Sequence, residues 1–454
     1  MHRKIERLTN AVLMMAALAA PAAARAADDA KTDKPVVDEI LAILKERGDI
    51  DEGEYQRLVA KNAEHEKKEG WIDRVRIFGD LRSRYEGFWY DKDELSNFPN
   101  RFRGRYRARL GAEAPINDYV SAVMRIATSE GDNRSENQSF GRNAPDFNYD
   151  GVVWDWGYIQ FKSKEGQLPA GGIALAQAGK TPNPFIGHFG REKMLWDPDI
   201  TLEGAIVKLS AAPWKDVKLF ANGGYSIIDE NWAPVGENKD PNLITAQLGA
   251  EWKLLRDWST GARFTWFGFR SLDPSFVQRG VNGSTASGAA TNSAGNIPDG
   301  LTGNVNGGHM GVGEIQAYLT WSGLEAWPVT IAGGMSDNFS AQASQLFPGV
   351  GRDAFAWNAG IEFGDKAQWV QLGATYYWVE ANAFPSMYID SDTLDGITNR
   401  KGWAFTGTRQ LFTNTDLSLS LFSSDSINAT LPGEQFSIPG SQRFRLQADV
   451  EVKF

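Results

Sequence analysis

Polar and apolar residues alternate along most of this 454-residue chain, and the C-terminal end shows the alternation most clearly. From Arg443 to Phe454 the odd positions are polar or charged and the even positions are apolar. Successive side chains of a β-strand point to opposite faces, so this segment predicts a strand with one polar face and one apolar face.

The same pattern recurs from position 74 onward, where we count sixteen candidate strands, each about as long as a tilted membrane-spanning strand must be. Tight connections, such as 212–216 and 255–258, alternate with long ones, such as 181–200 and 271–309. Short periplasmic turns and long extracellular loops are typical of transmembrane β-barrels. The sequence therefore predicts an all-β fold, an antiparallel transmembrane β-barrel of about 16 strands over residues 71–454. The candidate strands lie near 74–88, 101–114, 118–128, 152–164, 171–180, 201–212, 216–228, 242–255, 258–270, 310–322, 327–337, 353–364, 368–380, 401–408, 413–424 and 441–453.

The N-terminal residues have the pattern of an export signal. Three basic residues within positions 3–7 precede an apolar run at 11–20 and the small-residue cleavage site Ala24-Arg25-Ala26. We expect residues 1–26 to be a cleaved signal peptide. Residues 27–70 carry apolar positions at helical spacing and a capping box formed by Asp51 and Glu54, which predicts a short periplasmic helical hairpin. This hairpin is either an oligomerisation element or a mobile leader.

Composition excludes several classes of protein. The formal net charge of −10 argues against a nucleic-acid partner. The chain has no cysteine, so it is not a small domain held by disulfides. Outside the signal peptide no run of about eighteen apolar residues occurs, and we expect no transmembrane helix.

Arginine dominates one face of several predicted strands. The second strand reads R-F-R-G-R-Y-R-A-R-L from position 101, so that five arginines share one face. A charge on the lipid face costs roughly 2–4 kcal/mol at the membrane midplane, so these arginines are predicted to point into the lumen. The last strand of a closed barrel pairs with the first, and the arginines of four neighbouring strands would then form one arginine wall. Its predicted members are Arg74, Arg76, Arg82, Arg84, Arg101, Arg103, Arg105, Arg107, Arg109, Arg125, Arg443 and Arg445.

Two interpretations of the arginine wall stay open. It could favour anions electrostatically, since a guanidinium keeps its charge and binds carboxylate or phosphate through a fork. It could instead be the ordinary polar lining of a wide barrel, with arginine–carboxylate pairs holding neighbouring strands. Asp80, Glu86, Asp449 and Glu451 share these faces. Five arginines without an intervening acid on one strand favour the first interpretation.

Six short segments carry a family resemblance. They are G-D-L-R-S-R-Y-E at 79–86, S-E-N-Q at 135–138, G-K-T-P-N-P-F at 179–185, L-W-D-P-D at 195–199, E-G at 203–204 and L-F-S-S-D-S-I at 421–427. These segments resemble the putative porin family of Gram-negative outer membranes, over about residues 71–454. The final strand, with its terminal Phe454, is similar to the closing strand that the β-barrel assembly machinery reads. The resemblance implies a passive diffusion channel in outer-membrane lipid, and analogy with other sixteen-stranded porins implies a homotrimer.

The third long loop, near 181–200, is a candidate constriction. In general porins this loop folds inward, and here its acidic residues would face the arginine wall across the pore. The alternative is that the loop only caps the barrel outside. The candidate residues are Lys180, Asn183, Phe185, Arg191, Trp196, Asp197 and Asp199.

The sequence as a whole thus predicts an outer-membrane porin that passes small hydrophilic solutes through a water-filled lumen and favours anions. A substrate-specific channel for an anionic solute, such as phosphate or an acidic sugar, is the main alternative, and a structural or adhesive barrel without conductance is another. Asp390 and Asp392 are interpreted as surface acidity, because their spacing is not that of a calcium-binding EF-hand. No grouping of Ser, His and acidic residues indicates catalysis, so no enzyme activity, metal or cofactor is expected.

Overall fold

A computed structural model describes residues 40–41, 43–69, 74–90, 100–141, 149–164, 166–185, 194–230, 240–272, 296, 308–343, 351–394, 396–428 and 442–454. The chain divides into two compact units, residues 1–73 and 74–454. The predicted signal peptide lies outside the described residues.

The first unit contains helix α1, Glu52–Glu69. The backbone N–H of Glu54 donates to Asp51 Oδ1 at 2.8 Å, which is half of the capping box that the sequence predicts. Glu52 and Glu54 lie in the first turn, where negative charge interacts favourably with the helix dipole.

The second unit is one closed antiparallel sheet. Each long strand pairs with the next along the chain, and β17 pairs with β1 to close the barrel. Sixteen long strands form the wall, as predicted, and β4 is a two-residue strand inside the β3–β5 loop (129–151). The strands are β1 Arg76–Tyr90, β2 Arg101–Pro115, β3 Val120–Thr128, β4 Gln138–Ser139, β5 Val152–Lys162, β6 Ile173–Pro182, β7 Thr201–Trp214, β8 Val217–Ile227, β9 Asn242–Leu255, β10 Trp258–Arg270, β11 Met310–Trp321, β12 Val329–Asn338, β13 Phe355–Phe363, β14 Gln371–Val379, β15 Arg400–Phe412, β16 Thr415–Ser426 and β17 Arg443–Lys453.

The seam between the first and last strands includes the terminal residue. The N–H of Gly79 donates to the Phe454 carbonyl at 3.0 Å, and the N–H of Phe454 donates to the Gly79 carbonyl at 3.1 Å. A Cβ at Gly79 would lie 2.7 Å from the Phe454 ring and 2.3 Å from the Arg109 carbonyl. Glycine is therefore required at this position for the closing strand to pack.

The two faces of the strands separate as the alternation predicts. In β10, Phe264 and Trp266 are exposed on the outer face, whereas Arg263, Thr265 and Phe267 are buried on the inner face. An apolar outer face is what a bilayer covers. In the part of the chain that the structure describes, no helix is long and apolar enough to cross a membrane.

A β-bulge interrupts the alternation of β5. The pairing of β3 with β5 shifts register between Arg125, which faces Trp156, and Ile126, which faces Trp154. Asp155 is the extra residue, and its side chain is buried. One inserted residue reverses the faces on either side of it, so the simple alternation fails there.

An apolar cluster fills part of the barrel interior, at the end that carries the long connections. Trp196, from the β6–β7 loop (183–200), lies at its centre and is 3% exposed. Its ring stacks on Tyr388 at 5.0 Å and meets Phe384 edge-on at 5.1 Å, both from the β14–β15 loop (380–399). Phe267 and Phe269 of β10 complete the contact. The described parts of both loops are therefore folded into the barrel and packed against its inner wall.

Candidate pore lining

A polar cavity of about 570 Å³ lies beside this apolar cluster. One wall is charged and consists of β17, β1 and β2, with Arg82, Arg84, Arg107 and Arg109. The opposite wall is formed by β12–β16 and is rich in neutral hydroxyl groups. The hydroxyl residues are Thr330, Thr375, Thr406, Thr408, Ser418 and Ser420. The cavity can therefore hold water and small polar solutes between two walls of different character.

The arginine wall exists as a continuous surface because β17 pairs with β1, β1 with β2, and β2 with β3. Arg84, Arg105, Arg107, Arg125 and Arg445 are buried on its inner faces. Arg82, Arg103, Arg109 and Arg443 are partly buried, whereas Arg74, Arg76 and Arg101 are exposed at strand ends. Arg76 forms an ion pair with Glu113 and does not contact the cavity.

Most of the inward arginines are neutralised by carboxylates of neighbouring strands. Arg84 binds Asp449 through a fork, with distances of 2.7 and 2.8 Å. Arg107 donates to Asp80 at 2.9 Å and to Glu451 at 2.6 Å. No acid lies between the five arginines of β2, but the adjacent strands supply carboxylates. Cross-strand pairing thus accounts for much of the wall's charge.

Glu86 is the most shared of these carboxylates. It is fully buried, and Arg445 donates to it at 2.5 Å. Arg103 donates to the second oxygen of Glu86, and Arg105 lies 3.8 Å from the same oxygen. One buried carboxylate on β1 therefore ties together arginines of β17 and β2.

Three loops each place one carboxylate on the arginine wall. Glu136, from the β3–β5 loop, accepts from Arg109 at 3.0 Å and from Arg125 at 2.9 Å. Asp199, from the β6–β7 loop, lies 3.7 Å from Arg107.

The third of these carboxylates, Asp392 of the β14–β15 loop, accepts from Arg84 at 2.9 Å and from Arg445 at 2.8 Å. The wall is consequently a docking surface for loops as well as a lining.

The protonation of these loop acids differs. Burial and the nearby carboxylate of Asp199 raise the pKa of Glu136 to about 8, against the opposing effect of Arg109 and Arg125. Burial and Asp390 raise the pKa of Asp197 well above its usual range. Glu136 is therefore mostly protonated at neutral pH, and Asp197 holds its proton to a higher pH than an ordinary aspartate does.

Asp392 is the contrasting case. Burial alone would raise the pKa of Asp392, but Arg84 and Arg445 outweigh it and hold that pKa well below its usual range. Asp392 therefore stays ionised at neutral pH and keeps its two ion pairs.

The candidate constriction residues occupy different environments. Asp197 and Asp199 contact the cavity, together with Pro198 between them. Phe185 and Trp196 are buried in the apolar cluster, where they anchor the loop rather than meet solvent.

Two of the remaining candidates lie at the start of the β6–β7 loop. The side chain of Asn183 accepts from the N–H of Phe185 at 3.0 Å and so shapes the first turn of the loop. Lys180 lies in β6 rather than in the loop, on the face opposite the buried Thr181, and pairs with Glu203 at 2.6 Å. Arg191 lies outside the described residues.

The β14–β15 loop is the main feature that sequence reasoning missed. Asp390 and Asp392, interpreted from the sequence as surface acidity, belong instead to the barrel interior, where Asp390 is 6% exposed and Asp392 contacts the wall. The apolar residues Phe384, Tyr388 and Ile389 of this loop were the available signal, because a solvent-exposed loop seldom carries so many large apolar side chains.

A closed transmembrane β-barrel with a polar interior defines the chain as a channel-type outer-membrane barrel. Residues 95–292 match the sequence model of a family described as "Putative porin", which confirms the resemblance seen in the sequence. The family match and the barrel together indicate an outer-membrane channel.

Among solved structures, bacterial porins match this chain at very low sequence identity. A triple mutant of the Rhodopseudomonas blastica porin is 9% identical, with a TM-score of 0.41, and the match covers 84% of this chain and 100% of that chain. Pseudomonas putida OprB is 8% identical, with a TM-score of 0.49, and the match covers 84% of this chain and 94% of that one. Among curated proteins no match was found.

Proposed function

We propose that the protein is a passive diffusion channel for small hydrophilic solutes, with the polar cavity as the narrowest part of its path. The observation that carries this proposal is the cavity of about 570 Å³ between the arginine wall and the hydroxyl wall, inside a closed barrel. Sixteen strands enclose a lumen wide enough for water, and here folded-in loops reduce it. Polar lining on both walls suits hydrophilic solutes and disfavours apolar ones.

The channel favours anions, although less strongly than the number of arginines would suggest. Carboxylates pair with most of the wall, so only part of its charge is available to a passing ion. Two loop acids near the cavity have raised pKa values: Glu136, with a pKa of about 8, is mostly uncharged at neutral pH, and the pKa of Asp197 is also raised. The remaining imbalance is positive at Arg82, which forms no ion pair within the described residues.

A substrate-specific channel for an anionic solute is the second candidate. It is favoured by the small size of the cavity and by its neutral hydroxyl wall, which could contact a polyhydroxylated solute. A specific channel saturates with its solute and is blocked by it, whereas a general porin is not.

Export and assembly complete the proposal. The signal peptide, residues 1–26, is removed during export, and the helical segment 27–70 remains in the periplasm. The β-barrel assembly machinery reads the final strand, and the paired backbone of Gly79 and Phe454 supports a role for that strand in closure. The barrel assembles as a homotrimer in outer-membrane lipid.

Planar-bilayer recording of the purified protein across a KCl gradient tests the proposal. Stable single-channel steps are expected, with a reversal potential on the chloride-selective side. A folded barrel that gives no conductance would overturn the channel function. A cation-selective reversal potential would remove the anion preference but leave the channel.

A further inference from the structure

Arg82 differs from the other arginines that line the cavity. Arg84, Arg107 and Arg109 each contact at least two carboxyl groups, and Arg134 contacts that of Asp132. Arg82 donates through Nη2 to Asn137 Oδ1 at 2.8 Å, and within the described residues no carboxylate lies at ion-pair distance from it.

The Nε group of Arg82 is buried and has no hydrogen-bond partner. Arg105 and Arg445 also have an unbonded Nε, but each of them contacts Glu86. Arg82 therefore combines an unsatisfied donor with an unpaired charge. Leaving a buried donor unsatisfied destabilises the fold, and more so when the group is charged.

The sheet neighbours of Arg82 leave its charge without a direct counter-charge. Arg82 faces Arg107 on β2, a residue of like charge, and Glu451 on β17, whose carboxylate is in ion pairs with Arg107 and Lys453. Burial makes the charge of Arg82 harder to sustain without a counter-charge. A guanidinium with free donors is suited to bind a carboxylate or a phosphate through two parallel hydrogen bonds.

The opposite wall defines the rest of the ligand. Thr375, Thr406, Thr408, Ser418 and Ser420 present hydroxyl groups that can donate or accept. A solute with hydroxyl groups can bond to these side chains while its anionic end faces Arg82. The cavity of about 570 Å³ lies within the size range of small-molecule sites.

We infer that Arg82 is the docking point for the anionic end of a small polyhydroxylated solute. Its carboxylate or phosphate binds the terminal N–H groups of Arg82 that Asn137 leaves unbonded, while its hydroxyl groups face the hydroxyl-rich wall. The inference rests on the proposed channel function, because the solute must enter the barrel to reach Arg82. It makes Arg82, rather than the wall as a whole, the residue that distinguishes an anionic solute from a neutral one.

Block of single-channel current tests this inference. The probes are sodium glucuronate, inorganic phosphate and glucose, each added to the native protein in KCl in a planar bilayer. We expect saturable block by glucuronate, phosphate or both, and little block by glucose. Block by glucuronate alone identifies a carboxylate ligand, and block by phosphate alone identifies a phosphate ligand.

Two substitutions at Arg82 separate charge from geometry. Arg82→Gln should still conduct KCl but should raise the half-blocking anion concentration about tenfold or more, as expected for the loss of charge-assisted hydrogen bonds. Arg82→Lys keeps the charge without the fork and should recover only part of the block. Arg256→Gln removes one positive charge outside the cavity, in the exposed β9–β10 turn. The anions should block this variant at the same concentration as the native protein.

Equal block in the native protein and in Arg82→Gln would overturn the inference. So would a native channel that conducts KCl but is not blocked by either anion. A folded native protein without KCl conductance would instead overturn the proposed function, so the two failures are distinguishable.

Discussion

Replacing Trp196 with alanine should release the β6–β7 loop from the barrel interior. Trp196 is 3% exposed and contacts four aromatic rings, with centroid distances from 5.0 to 6.2 Å. A buried Trp→Ala change costs roughly 3–5 kcal/mol. Since every 1.4 kcal/mol is about tenfold in an equilibrium constant, the displaced state of the loop should become at least a hundredfold more populated.

The expected readout is single-channel conductance. Asp197, Pro198 and Asp199 of the same loop contact the cavity, so displacement of the loop widens the path. We expect Trp196→Ala to show a larger conductance state or frequent transitions to one. Heat-modifiable electrophoretic mobility should show that the barrel itself is folded.

A matched control is available on the outer face of the barrel. Trp403 is 45% exposed and packs against Tyr376 and Phe405, away from the lumen. Trp403→Ala removes the same side chain and should leave the conductance unchanged. A folded Trp196→Ala barrel with native conductance and native current noise would refute the reasoning, because the loop would then be held in place without its central anchor.

Three further predictions concern protonation, folding and assembly. Glu136 has a raised pKa and faces Arg109 and Arg125 as well as the acids Asp155 and Asp199, so it gains negative charge as pH rises through about 8. Because folding raises the pKa of Glu136, its contribution to stability is complete below the usual carboxyl range. It is lost as pH rises from that range through about 8. Anion preference, measured by reversal potential, should fall between pH 7 and pH 9, and Glu136→Gln should reduce this change; an identical pH profile in the variant would contradict the assignment. Gly179→Ala should lower the yield of folded barrel in a mobility assay, because Gly179 has φ +127° and a Cβ would lie 2.3 Å from the Gly157 carbonyl; native yield would show that β5 and β6 can separate without cost. Phe454→Ala should slow assembly of the barrel into vesicles, measured by protease protection over time. An unchanged rate would exclude the Phe454 ring as part of the assembly signal.

The wall of the barrel was largely predictable from the sequence. Side-chain alternation has a period of two residues, so it records locally which face meets lipid and which faces inward. The strands from Trp258 to Arg270 and from Arg443 to Lys453 have the predicted bounds to within two residues. The exception is β5, where Asp155 forms a bulge and the pattern no longer reports the faces.

The contents of the barrel were less predictable. The acidic loop residue Asp199 was expected opposite the arginine wall, and it lies 3.7 Å from Arg107. The burial of the β14–β15 loop was missed, because its packing against Trp196 depends on contacts between segments about 190 residues apart. Acidic residues in such a loop look the same in sequence whether they meet solvent or arginine.

The sequence by itself determined that about sixteen strands form the barrel, which faces most of them present, and that many arginines point inward. Only the tertiary structure decided which of these charges are neutralised. Arg84 and Asp449 form their fork across 365 positions of sequence, and Arg82, two positions before Arg84, has no such partner in the described residues. Ion pairing depends on distance in space, which closure of the barrel and folding of the loops set. The alternation of residues fixes only the direction in which each side chain points.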